Sequence, residues 1–84
     1  VRMRFDAEFA DVARRNRSYW EKFEDLAGGA VDVAFRAPDL QWAVNVVMSY
    51  GPIAVVLEPE ELRKQVADQA RRVCARYEEA QSAT

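Results

Sequence analysis

The chain opens on a strict alternation. In VRMRF, Val1, Met3 and Phe5 alternate with Arg2 and Arg4, the period-two signature of a strand with one buried face. Asp6 stands at an expected helix N-cap, and the spacing of Phe9, Val12 and Ala13 predicts a short amphipathic helix ending near ARRNR, whose arginines suit the negative end of a helix dipole. SYWEKFEDL, residues 18–26, has no uniformly apolar face and predicts an edge strand. AGGA supplies the permissive backbone of a tight turn. VDVAFR then returns with Val31, Val33 and Phe35 inward and Asp32, Ala34 and Arg36 outward, completing a hairpin.

From Pro38 and Asp39 the period changes. Leu40, Ala43, Val44, Val47 and Met48 recur at helical spacing until Gly51 and Pro52 stop the helix. IAVVL, residues 53–57, is a β-branched run suited to a well-covered strand. Pro59, which cannot continue a strand ladder, and the acidic Glu60 and Glu61 then start a last helix with Leu62, Val66, Ala70, Val73 and Tyr77 along one stripe. The predicted order is βαββαβ followed by α, an α+β ferredoxin-like arrangement: a four-stranded antiparallel sheet in the order 4-1-3-2, two helices on one face, and an additional C-terminal helix. A last helix of nearly twenty residues, about 27 Å long, overreaches so small a sheet, so its far end is expected to serve a neighbouring domain or a second subunit.

Length and composition narrow the functional classes. The 84 residues have room for one domain, half of them are hydrophobic, 31% are charged and the net charge is −2. That is an ordinary folded composition with no global attraction for nucleic acid or anionic lipid. The longest apolar run is far too short to span a bilayer, and the expectation is a cytoplasmic protein that does not bind membranes. There is one cysteine and no histidine, so no cofactor or metal is expected: zinc sites of the usual kind and histidine-based triads have no ligands here. Cys74, inside a helical pattern beside Ala70 and Tyr77, is expected as a small packing residue. Val1 already belongs to a strand pattern, which suggests the C-terminal piece of a longer chain.

Activities common on this fold each require particular residues at particular places. An acylphosphatase-type site needs an anion loop after the first strand, where the tight, acidic RFDAE stands instead. An RNA-recognition sheet needs aromatics on its central strands, where Arg2, Arg4, Asp32 and Arg36 stand. The adjacent carboxylates Glu60 and Glu61, or Glu78 and Glu79, suit solvated helix ends better than general acid and base, and no enzyme is expected. Arg2, Arg4 and Arg36 converge on the open face in the 4-1-3-2 order. They serve either as solvated charges balanced by Asp32 or as a contact surface for phosphate oxygens. Tyr19 and Trp20 on the neighbouring strand are candidates for stacking, though packing is the commoner role of aromatic residues.

Taken together, VRMRF, VDVAFRAPDLQWAVNVVMSYG and PIAVVLEPEELRKQVADQARRVCARY resemble the C-terminal extension, WCX, of bacterial WYL-domain transcriptional regulators. The resemblance implies a domain over residues 1–78 with a frayed tail over 79–84. Its parent would carry a winged helix-turn-helix and a WYL domain. The implied role is dimerisation and effector response, the partners being the WYL domain of the same parent chain, a second copy in a homodimer, and single-stranded nucleic acid or another anionic effector. Arg2, Arg4 and Arg63 match basic positions of that pattern; SYWEKFEDL departs from it. The alternatives are a free-standing ACT-like small-molecule sensor and a pure oligomerisation domain.

Overall fold

A computed structural model describes residues 1–82 of the chain, with side chains described through residue 79. Four strands, β1 (Arg2–Phe5), β2 (Lys22–Asp25), β3 (Val31–Ala34) and β4 (Ala54–Glu58), alternate with α1 (Ala10–Arg15) and α2 (Leu40–Tyr50), and α3 (Glu60–Ser82) follows. The sheet order is β2-β3-β1-β4 with every neighbouring pair antiparallel. This is the ferredoxin-like arrangement predicted from the pattern.

The alternation in β1 organises the core. Met3 and Phe5 are fully buried on the helix side, beside Val31 and Val33 of β3 and Ala54 and Val56 of β4. Phe5 lies edge-on to Tyr50 at 5.3 Å between ring centroids and 6.0 Å from Trp20, so the central strand, α2 and the segment before β2 meet in one aromatic cluster. Val1 and Phe35 extend the β1–β3 ladder by exchanging backbone hydrogen bonds, each of 3.0 Å. Leu57 is the unpaired residue of a register shift between β4 and β1.

Local sequence explains the element ends. Asp39 Oδ1 accepts a 2.8 Å hydrogen bond from the Trp42 amide and so caps α2. Gly51 ends the helix with φ of 62°, a conformation costly for residues with a Cβ. Gly28 and Gly29, both at positive φ, make the β2–β3 turn.

Three boundaries differ from the expectation. Asp6 caps with its carbonyl, accepting from the Phe9 amide at 2.8 Å, and its side chain makes no capping bond, so a 3-10 turn over Ala7–Phe9 precedes α1. The predicted strand over 18–26 begins only at Lys22, because Arg17–Tyr19 form another 3-10 turn. That turn carries the Trp20 ring under α1, where its indole N–H donates 2.9 Å to the Ala13 carbonyl. α3 includes residues 79–82 of the stretch expected to fray, consistent with the helix-forming Glu78, Glu79, Ala80 and Gln81; residues 83 and 84 lie outside the described residues.

α3 outruns the sheet. Its 23 residues span about 34 Å at 1.5 Å per residue, whereas the five residues of β4 span about 17 Å. Leu62 is fully buried and Val66 partly, but Val73 and Tyr77 on the same stripe are 40% and 71% exposed. No helix among the described residues is long and apolar enough to cross a membrane.

Two stability predictions follow from these contacts. Asp39→Ala removes the α2 cap and is expected to cost about 1 kcal/mol, read as a lower urea midpoint with unchanged slope. Trp20→Phe keeps most of the ring volume but removes the indole donor from the Ala13 carbonyl, which keeps its 3.1 Å bond from the Asn16 amide. It is expected to cost about 1 kcal/mol, the net worth of one buried hydrogen bond, and a midpoint equal to wild type would show that the indole bond contributes nothing.

Candidate functional site

The strand register places two rows of side chains on the open face of the sheet, opposite the buried row of Met3, Val33 and Val56. Lys22, Ala34, Arg2 and Glu58 form one row, and Glu24, Asp32, Arg4 and Val55 the next. Lys22, Arg2 and Arg4 are thereby set among Glu24, Asp32 and Glu58. The face mixes three cations with three carboxylates and carries no single-sign field.

Each predicted arginine has a carboxylate beside it. Arg2 NH2 lies 3.4 Å from Glu58 Oε1, an exposed pair on adjacent strands. Arg36, just beyond β3, donates 3.1 Å from Nε to Glu21 at the sheet corner. Arg63 stands on α3, one turn from Glu60, with 3.7 Å between NH1 and Oε2. It lines a cleft among α2, β4 and α3 on the helix side of the sheet, so it does not join the other three. Arg2 and Arg4 share the open face through the alternation of β1, with Arg36 at its margin.

Arg4 differs from the rest. Directly opposite Asp32 in the register, it donates twice, Nε to Oδ1 at 2.7 Å and NH2 to Oδ2 at 3.1 Å. The Asp32 side chain is only 9% exposed whereas that of Arg4 is 45% exposed. The guanidinium covers the carboxylate and answers both its oxygens, which makes this charge burial tolerable. The Arg4 hydrogen bonds hold the Asp32 pKa below its ordinary value, against the desolvation that raises it, with the charges of Arg4 and Arg2 adding to the lowering.

Trp20 is part of the core, with its N–H satisfied internally, and offers no stacking surface on the open face. Tyr19 is exposed and rests edge-on against it at 5.5 Å. Cys74 is exposed, where packing was expected, because this part of α3 lies past the domain it would pack on. Its thiol donates 3.3 Å to Glu78, and that carboxylate raises its pKa. Among the described residues no cluster of His, Cys, Asp or Glu is arranged to hold a metal ion.

The sequence pattern missed the cleft. It has a volume of about 520 Å³ and is lined by apolar residues from α2, the following turn, β4 and α3, with Arg63 the one charged lining residue among the described residues. Its walls come from three segments far apart in the chain, and the small Ala67 and Ala70 that leave it open carry no linear signal.

The Asp32 pKa direction gives a pH prediction. Because the folded value lies below the unfolded one, which is about 3.9, the pair's contribution is complete above about pH 5 and is lost as pH falls through the folded value. Asp32→Asn is therefore expected to be less stable than wild type at neutral pH, with the gap in urea midpoints narrowing below about pH 4. A gap that stays constant down to acid pH would remove the charge of Asp32 from the account.

The sequence model of the WCX domain matches residues 1–74, which span all four strands, α1, α2 and the first two-thirds of α3. No curated protein matches the chain. With its open, charge-paired sheet face and overreaching last helix, the chain belongs to the WCX domain family.

Proposed function

We propose that this domain is the C-terminal regulatory domain of a WYL-type bacterial transcription factor, acting in the cytoplasm through dimerisation and effector response and not as an enzyme. The observation that carries this reading is the WCX match over residues 1–74. The exposed Val73 and Tyr77 on the far half of α3 support the contact role, since they continue a stripe whose first residues are core. The WYL domain of the parent chain and a second subunit are the surfaces this half of the helix would meet.

The effector surface proposed is the arginine face, and the pairing there divides the labour. Exposed ion pairs contribute only about 0–1 kcal/mol, so a phosphate oxygen can replace Glu58 on Arg2 or Glu21 on Arg36 at little cost. Arg4 is committed to the buried Asp32 and serves as the fixed anchor on the far side of Arg2 from Arg36. An anionic ligand bound there changes the regulator only through a different affinity for two arrangements of the parent dimer.

The test is an NMR titration of the labelled domain with a short single-stranded oligonucleotide at low and near-physiological salt. Shifts around Arg2 and Arg36 that weaken as salt rises, and that vanish in the Arg2→Glu, Arg36→Glu double variant, are expected from counterion release. No shifts at either salt would defeat the effector surface and leave a docking domain.

A further inference from the structure

We propose that the cleft among α2, β4 and α3 binds a small aliphatic monocarboxylic acid, its chain between the two helices and its carboxylate on Arg63. The cleft volume of about 520 Å³ falls within the range of small-molecule pockets, about 300–1,000 Å³. Val47 and Met48 of α2 form one wall, Val66 of α3 the other, and Val56 contributes from β4. Ala67 and Ala70 on the facing side of α3 keep the space between the helices open.

The charge pattern selects the ligand class. Among the described residues Arg63 is the only charged one lining the cleft, so one anionic group at the end of one apolar chain matches what the walls offer. A dicarboxylate would place its second charge against side chains that cannot answer it, and an uncharged alkane or alcohol would leave the guanidinium unused. Arg63 is available for exchange: its contact with Glu60 is long, at 3.7 Å, and its side chain is 51% exposed. A ligand carboxylate can instead accept two parallel hydrogen bonds from the guanidinium, partly shielded from water by the apolar walls.

This site is separate from the arginine face in its charged group, because Arg63 stands on α3 on the helix side of the sheet while Arg2 and Arg4 lie on the open side; Val55 at the β4 edge, beside Arg4 in the register, is the lining residue that the two share. It is also separate from the exposed end of α3, since neither Val73 nor Tyr77 lines it. Its failure would therefore leave the regulatory reading untouched, and the converse holds.

The experiment titrates octanoate, and in parallel octan-1-ol, into the isotope-labelled 84-residue chain while following the methyl signals of Val47, Met48 and Val66. Octanoate is expected to shift these signals saturably. Arg63→Met is expected to weaken octanoate binding about tenfold, the scale of one lost charge-assisted hydrogen bond, and to leave octanol binding unchanged. Equal binding of acid and alcohol, with no effect of Arg63→Met, would overturn the carboxylate assignment. Absence of shifts with either probe would overturn the site altogether. So would shifts of the same methyls on raising protein concentration alone, which would identify the cleft wall as a protein interface.

Discussion

Burial of Met3 and Phe5 beneath the two-sided central strand is the constraint on which the rest of the molecule depends. β1 is paired on both edges, so its inner face can be covered only by helices, and its two inward side chains are fully buried. Phe5 reaches Trp20 and Tyr50, while the Trp20 indole ties back to α1 through the Ala13 carbonyl. Strands of four or five residues contribute few ladder hydrogen bonds. A domain of this size buries a modest share of its surface, which leaves the aromatic cluster as the feature that gathers β1, α1 and α2 into one core.

The same alternation that buries Met3 and Phe5 presents Arg2 and Arg4 on the other face, and the register decides what they meet there. Across the sheet cations and carboxylates are mixed in equal number, so the surface is balanced by local pairing and lacks a broad positive field. Two kinds of arginine result. Arg4 covers a carboxylate that is nearly inaccessible to water, whereas Arg2 and Arg36 stand beside the exposed carboxylates of Glu58 and Glu21. The effector surface proposed above would discriminate by exchanging partners, a behaviour that net charge does not reveal.

α3 departs from the economy of the rest of the fold. Its first turn is held by Leu62 in the core and its apolar stripe then continues into solvent. Where the helix still lies beside α2, small residues leave the apolar cleft; farther along, Val73 and Tyr77 face outward without a neighbour large enough to cover them. One helix thus presents two different surfaces in succession, a concave apolar one beside α2 and a convex one bearing Val73 and Tyr77.

Much of this was legible in the residues. The period-two pattern of β1, the glycine turn of the hairpin, the start of α2 after Pro38 and Asp39 and the excess length of the last helix are local properties, and each appears in the structure. The strand order was accessible because the element pattern admits few compact solutions. Trp20, Asp32 and Cys74 were less legible. Periodicity states which face of a segment is apolar, but not how the chain turns before a strand, which side chain stands opposite across a register, or where a helix runs out of neighbours. The sequence by itself determined the elements, their faces and the overreach of α3. Tertiary structure alone decided that Trp20 closes the core, that Arg4 is committed to Asp32, and that a cleft opens beside Arg63, because each depends on distances between segments remote in the chain.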